Sequence, residues 1–294
     1  MLTCSESTEK DFAGKTVLLT GATGGLGSAF ALQLSQCGVS TLILSARSEE
    51  SLFKLSQECK KVAGGKNNAP YQSPLTVHIL ECDLSDPASV FQLAEKALKI
   101  SPVIDVLINN GGVSSRSRFL DTTIQVDQQV MQINFFAGVA LAKAVVPGMV
   151  QKGSGRIVWI SSVQGLFGMP NRSSYAASKF AVQGYCESIR AELASSGVSV
   201  LVASPGYIRT NLSRSALTGD GGRYGKMDET TAAGAEPMEV AIKILNHAAA
   251  GDADFIVAAT TSAKAAIWLR LLCPALLRWQ MIKRYEKSQK EKLE

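Results

Sequence analysis

The stretch Thr20-Gly21-Ala22-Thr23-Gly24-Gly25-Leu26-Gly27 constrains the fold of this chain more than any other. It stands between a short apolar run, Lys15–Thr20, and a helical stretch that reaches about Cys37. Glycines at 21, 25 and 27 permit a tight turn and a close approach of backbone to a pyrophosphate. A helix that begins there offers unpaired N–H groups and a partial positive charge to that anion. A glycine run alone is a moderate signal. Between a strand and a helix at the start of a βαβ unit it becomes a strong one.

The rest of the chain continues the alternation. Ser40–Ser45, Thr76–Cys82, Val103–Ile108, Ile157–Ser161 and Val198–Ala203 are short apolar runs, and helical patterns such as Glu49–Ala63 separate them. Short strands alternating with helices predict an α/β fold: one doubly wound parallel sheet with helices on both faces. Right-handed crossovers place the strand C-termini on one edge, where ligands bind. The sequence divides into a polar N-terminal extension (1–13), one domain (14–262) and an apolar, then basic, tail (263–294). Within the domain, residues 207–237 are polar, glycine-rich and weakly periodic, and follow a strand end. They are expected to cover the site as a lid, the alternative being a surface loop.

Dinucleotide folds often carry an acid about 20 positions beyond the glycine turn, where it holds a ribose 2′-hydroxyl. Here the second strand ends Ser45-Ala46-Arg47. A guanidinium at that place suits a 2′-phosphate, so NADP(H) is the expected cofactor. Farther along, Tyr175 and Lys179 are four residues apart, on one face of a helix. A phenol with an ordinary pKa of about 10 exchanges protons poorly at neutral pH. A nearby cation lowers it, and Lys179 together with an oxidised nicotinamide is expected to do so. Ser162, at a strand end 13 residues before the tyrosine, is placed to orient a substrate oxygen.

With these motifs in this order, residues 14–260 resemble the short-chain dehydrogenases/reductases. The family's T-G-x-x-x-G-x-G matches Thr20 to Gly27, including Gly21, Thr23, Gly25 and Leu26. Its adenine-side acid matches Asp83 in Cys82-Asp83-Leu84. Its N-N-A-G turn resembles Asn109-Asn110-Gly111-Gly112, with Gly111 where alanine is usual. The resemblance implies a Rossmann-type sheet and a catalytic set of Ser162, Tyr175, Lys179 and Asn134, the asparagine linking the lysine to a water chain. It further implies nicotinamide contacts from Pro205, Gly206, Ile208 and Thr210, ribose contacts from Tyr175 and Lys179, and hydride transfer between NADP(H) and a carbonyl or secondary alcohol. The segments SPGYIRTNL and Arg223–Asp228 are most similar to the animal member-7-type dehydrogenase/reductases. Leu166, Phe167 and Met169 point to an apolar ketone or aldehyde of lipid, steroid or retinoid type. A nucleotide-binding regulator or scaffold without chemistry is the alternative, and the family's habits favour a homodimer or homotetramer.

Other chemistries find little support. There are two histidines and no G-x-S-x-G elbow, which disfavours a Ser-His-Asp hydrolase, and His78 and His247 read as structural. No clustered ligands suggest a metal. Six scattered cysteines without a CxxC pair read as reduced core residues of an intracellular protein, and the polar Met1–Lys10 does not read as a secretory signal. The segment from Lys264 onward holds eight basic and three acidic residues, which accounts for the whole net charge of +5. A neutral body disfavours nucleic acid as a partner. Ala265–Ile282 is apolar with tryptophan near both ends, but Arg270, Arg278 and Pro274 disfavour a full membrane crossing. It suits the surface of a membrane, with packing on the domain or a sister subunit as the alternative. The expected location is the cytoplasm or the cytoplasmic face of an internal membrane, such as the endoplasmic reticulum.

Overall fold

In a computed structural model, which describes residues 4–64 and 74–290, each expected apolar run forms a strand. The strands are β1 (Thr16–Thr20), β2 (Thr41–Ala46), β3 (Thr76–Glu81), β4 (Val106–Asn109), β5 (Gly155–Ile160) and β6 (Val198–Pro205). A seventh, β7 (Asp254–Val257), was not anticipated. All pair in parallel in the order β3-β2-β1-β4-β5-β6-β7, so the chain reverses its direction of winding beside β1. The C-terminal ends of β1 and β4 therefore flank the crevice expected of such a reversal.

Helices cover both faces. On one lie α1 (Glu6–Phe12), α2 (Gly25–Gln36) and α3 (Glu49–Gly64). The other carries α4 (Pro87–Ile100), α5 (Ile124–Met131), α6 (Ala137–Lys152) and α7 (Ser173–Leu193). After the short α8 (Glu229–Ala232), α9 (Pro237–Ala250) joins the first face. Because successive strand residues point to opposite faces, Val17 and Leu19 pack with Phe30 and Leu34, while Leu18 packs with Leu107, Leu141 and Trp159. The run 124–152 is long and apolar enough to cross a membrane by length and composition, yet Val126, Val130, Leu141, Val145 and Met149 are buried in the domain.

The residues before β1 are more than a polar extension. Ser5 caps α1, Thr8 Oγ1 donates to Asn246 Oδ1 of α9 at 2.7 Å, and Phe12 is fully buried. At the other end, α10 (Thr261–Leu272) and α11 (Pro274–Lys290) break at Cys273, where Pro274 cannot continue the first helix. Ala266 and Leu277 pack on Val163 and Phe167, and Arg270 donates to Leu166 O at 3.1 Å. Part of the tail is thus domain core, while Trp268, Leu272 and Trp279 stay exposed. Residues 1–3 of the extension and 291–294 of the tail lie outside the described residues.

Candidate active site

A cavity of about 1280 Å³ opens along the C-terminal edge of the sheet. Ordinary small-ligand pockets span roughly 300–1,000 Å³, so this one has room for a dinucleotide and a second molecule. At its floor the backbone after β1 turns sharply, with Gly21 in the left-handed region at φ +61°. A Cβ on Gly27 would stand 2.1 Å from Gly21 O and 2.9 Å from Ala22 Cα, so helix α2 can begin this close to the turn only on glycine. The residue preceding that helix is Gly24, which supplies no side-chain cap to its first N–H groups. Those donors face the cavity wall formed by Gly21, Thr23, Gly25, Leu26 and Gly27, a setting that fits a pyrophosphate.

Thr20 is buried behind this wall. Its Oγ1 accepts from the N–H groups of Asn110 and Gly111, both at 3.1 Å, while Asn110 Nδ2 donates to Thr20 O and Gly21 O. These bonds bind the turns after β1 and β4 into one unit. Arg47, just past β2, is exposed at the cavity rim, and Asp83 and Leu84, which follow β3, also line the cavity. At the other end Pro205, Gly206, Ile208 and Thr210 line the wall after β6.

Ser162, Tyr175 and Lys179 meet deeper in the cavity, all three buried. The four-residue spacing on α7 aims the phenol and the ammonium the same way, with Nζ 5.7 Å from the ring centroid. Lys179 donates to Ile160 O at 2.9 Å, and burial lowers its pKa from 10.5 to about 8. Tyr175 departs from expectation. Burial raises its pKa, and this outweighs the opposing hydrogen bond with Ser162 and the charges of Arg172 and Arg116. Lys179, beside the ring, is itself desolvated. A phenol held protonated is suited to donate a proton.

Asn134 lies outside the cavity lining, in a π-helical turn (Gln132–Phe136) between α5 and α6. Its Oδ1 accepts from Val113 N at 2.8 Å, and its Nδ2 donates to Val113 O and to Ser178 Oγ, each at 2.9 Å. It therefore fixes the chain leaving β4 against α7. A Cβ on Gly112 would touch both Asn134 Oδ1 and Lys179 Nζ, so that one residue separates asparagine from lysine.

A family model described as short chain dehydrogenase matches residues 15–220. This chain belongs to that family. A protein of Anopheles gambiae named dehydrogenase/reductase SDR family protein 7-like is 44% identical over 274 residues, spanning 93% of this chain and 84% of its own length. Dehydrogenase/reductase SDR family member 7B of Danio rerio is 45% identical, with 89% and 82% covered. A short-chain dehydrogenase from Sphingobium yanoikuyae, solved in complex with NADPH, superposes at a TM-score of 0.70 with 27% identity, covering 94% of this chain and 95% of its own. As a short-chain dehydrogenase/reductase the chain is an oxidoreductase with an NAD(P)-binding Rossmann-like fold.

Two charged residues of the cavity lining, Arg116 and Arg172, have no part in the motifs. Arg116 follows β4, Arg172 precedes α7, and Asp228 belongs to the 207–237 segment. Asp228 ends the Arg223–Asp228 segment, and Arg172 stands three positions before Tyr175. The α11 residues Met281 and Arg284 also reach the cavity, so the tail is part of the site. His247, by contrast, hydrogen-bonds Asp252 at 2.5 Å and stacks on Phe255.

Proposed function

We propose that this enzyme uses NADPH to reduce an apolar ketone or aldehyde of lipid, steroid or retinoid type. The observation that carries the reading is the convergence of the glycine turn, Arg47 and the Ser162–Tyr175–Lys179 group on one cavity. When bound, NADPH supplies the hydride. Arg47 provides the guanidinium for a 2′-phosphate, while Asp83 and Leu84 border the adenine and Asn110 and Gly111 the pyrophosphate side. Ile208 and Thr210 flank the nicotinamide, and Lys179 and Tyr175 reach the adjoining ribose. Ser162 orients the carbonyl oxygen, and Tyr175, kept protonated by burial, gives that oxygen its proton. Asn134 holds Val113 and Ser178 so that Lys179 keeps its place. Phe167, Met169, Leu212 and Leu217 give the substrate end an apolar wall, and residues 207–237 cover it as a lid.

The same reading places the protein in the cytoplasm or on the cytoplasmic face of an internal membrane such as the endoplasmic reticulum. Its six cysteines form no disulfide. Exposed Trp268, Leu272 and Trp279, near Arg278 and Lys283, suit an anionic lipid surface. Exposed Phe91 lines an apolar groove formed from α4 and α6, which suits pairing with a second copy. Activity is tested by NADPH consumption against a panel of apolar carbonyl compounds. Tyr175→Phe is expected to abolish turnover and leave NADPH affinity within a few-fold. Full activity in that variant would contradict the mechanism.

A further inference from the structure

Arg116 and Arg172 line the cavity, and Asp228, from a third distant segment, meets both of them behind that lining. Asp228 Oδ2 accepts from Arg116 Nε at 3.0 Å and Nη2 at 2.6 Å, and from Arg172 Nη2 at 3.3 Å. The arginine side chains are only 10% and 13% exposed, and the carboxylate 17%. One carboxylate for two guanidiniums leaves an excess of positive charge in a poorly solvated wall, where such charge acts strongly. The covering segment takes part in this arrangement. Asp228 belongs to that segment, and two backbone bonds join it to the chain after β4, Arg116 N donating to Leu217 O at 2.8 Å and Leu217 N to Ser114 O at 2.9 Å.

We propose that Arg172 and Arg116 are positioning residues that act on Tyr175 through their charge, and that Asp228 holds them in place only while the 207–237 segment is seated over the cavity. The proposal rests on the reading of Tyr175 as proton donor. When the phenol gives up its proton, the phenolate left behind needs nearby positive charge, and preorganised charge serves a developing anion without rearrangement. Seating the segment would thus enclose the substrate and ready the tyrosine in one event.

The groups around the phenol leave few other sources for that field. Ser162 hydrogen-bonds it, and Arg172 and Arg116 oppose the burial that keeps it protonated. Lys179, one turn along α7, is desolvated and bonded to Ile160 O. From α5, Asp127 accepts from Ser174 Oγ at 2.5 Å. Tyr207, at the start of the covering segment, adds to the surroundings of Arg172, which burial and then Arg116 make less basic.

The test places 3,5-difluorotyrosine at position 175 of the full chain and follows its ionisation by fluorine NMR, which needs no substrate. Arg172→Gln is expected to raise the midpoint by about one pH unit, or tenfold in acidity, and Arg172→Lys to restore most of it. Asp228→Asn decides the role of the segment. If Asp228 merely offsets fixed arginines, its loss lowers the midpoint; if it holds them, the arginines disperse and the midpoint rises. An unmoved midpoint in Arg172→Gln overturns the charge assignment, and a lowered one in Asp228→Asn overturns the latch. Should Arg172→Gln not fold, Arg116→Gln carries the same expectation of a raised midpoint. Failure of the broader reading is separable, because that would show as turnover in Tyr175→Phe whatever the midpoints do.

Discussion

Lys179 shows how far burial alone can set a residue's chemistry. The unfolded chain keeps this proton up to about its ordinary 10.5, whereas the folded protein releases it at about 8. Between those values the unfolded state binds more protons, so this group makes stability rise with pH across the window and contributes no slope below it. The full span amounts to ~3 kcal/mol in the cofactor-free protein. Lys179→Met, compared with the parent by urea unfolding, is therefore expected to hold a relative advantage at pH 7 that shrinks by ~2–3 kcal/mol by pH 10.5. A constant gap across that range would show that the ammonium is not desolvated. The pair Tyr175 and Lys179 was legible in the sequence because spacing on a helix is local. Their environment was not, since it is made by chain segments from 116 to 228.

At the scale of elements, the glycine turn and α2 act as one unit, and the contrast between two glycines measures it. Gly27→Ala drives a Cβ into backbone at Gly21 O and Ala22 Cα, neighbours that cannot move without opening the turn. It is expected to lower stability by ~1–3 kcal/mol and to weaken NADPH binding more than tenfold. Gly184 in the middle of α7 meets nothing within 4 Å, so Gly184→Ala is expected to gain ~0.5–1 kcal/mol and leave binding unchanged. Thermal unfolding and NADPH titration check both. The inner strands were readable because strands buried on both faces are continuous apolar runs, and the half-buried edge strand β3 because Val77, Ile79 and Leu80 keep it largely apolar. β7 was not: Asp254-Phe255-Ile256-Val257 is four residues long and opens on a carboxylate. The break between α10 and α11 follows from Pro274, but their docking on Phe167 depends on contacts more than ninety residues apart.

Across the whole molecule, the same C-terminal helices contribute Met281 to the cavity and expose Trp268, Leu272 and Trp279. The membrane contact proposed for this face is testable apart from the cavity. The variant carrying Trp268→Ser, Leu272→Ser and Trp279→Ser is expected to lose most co-sedimentation with vesicles rich in anionic lipid and to keep its affinity for NADPH. Unchanged sedimentation would leave that face as a contact for another protein. The measurement that bears most directly on the account is fluorescence titration with NADPH and NADH, for the parent protein and Arg47→Asp. The account predicts tight NADPH binding, weaker NADH binding, and loss of the NADPH preference in the variant. Equal binding of the two nucleotides by the parent protein would contradict the role given to Arg47, and binding of neither would leave the fold without the chemistry assigned to it.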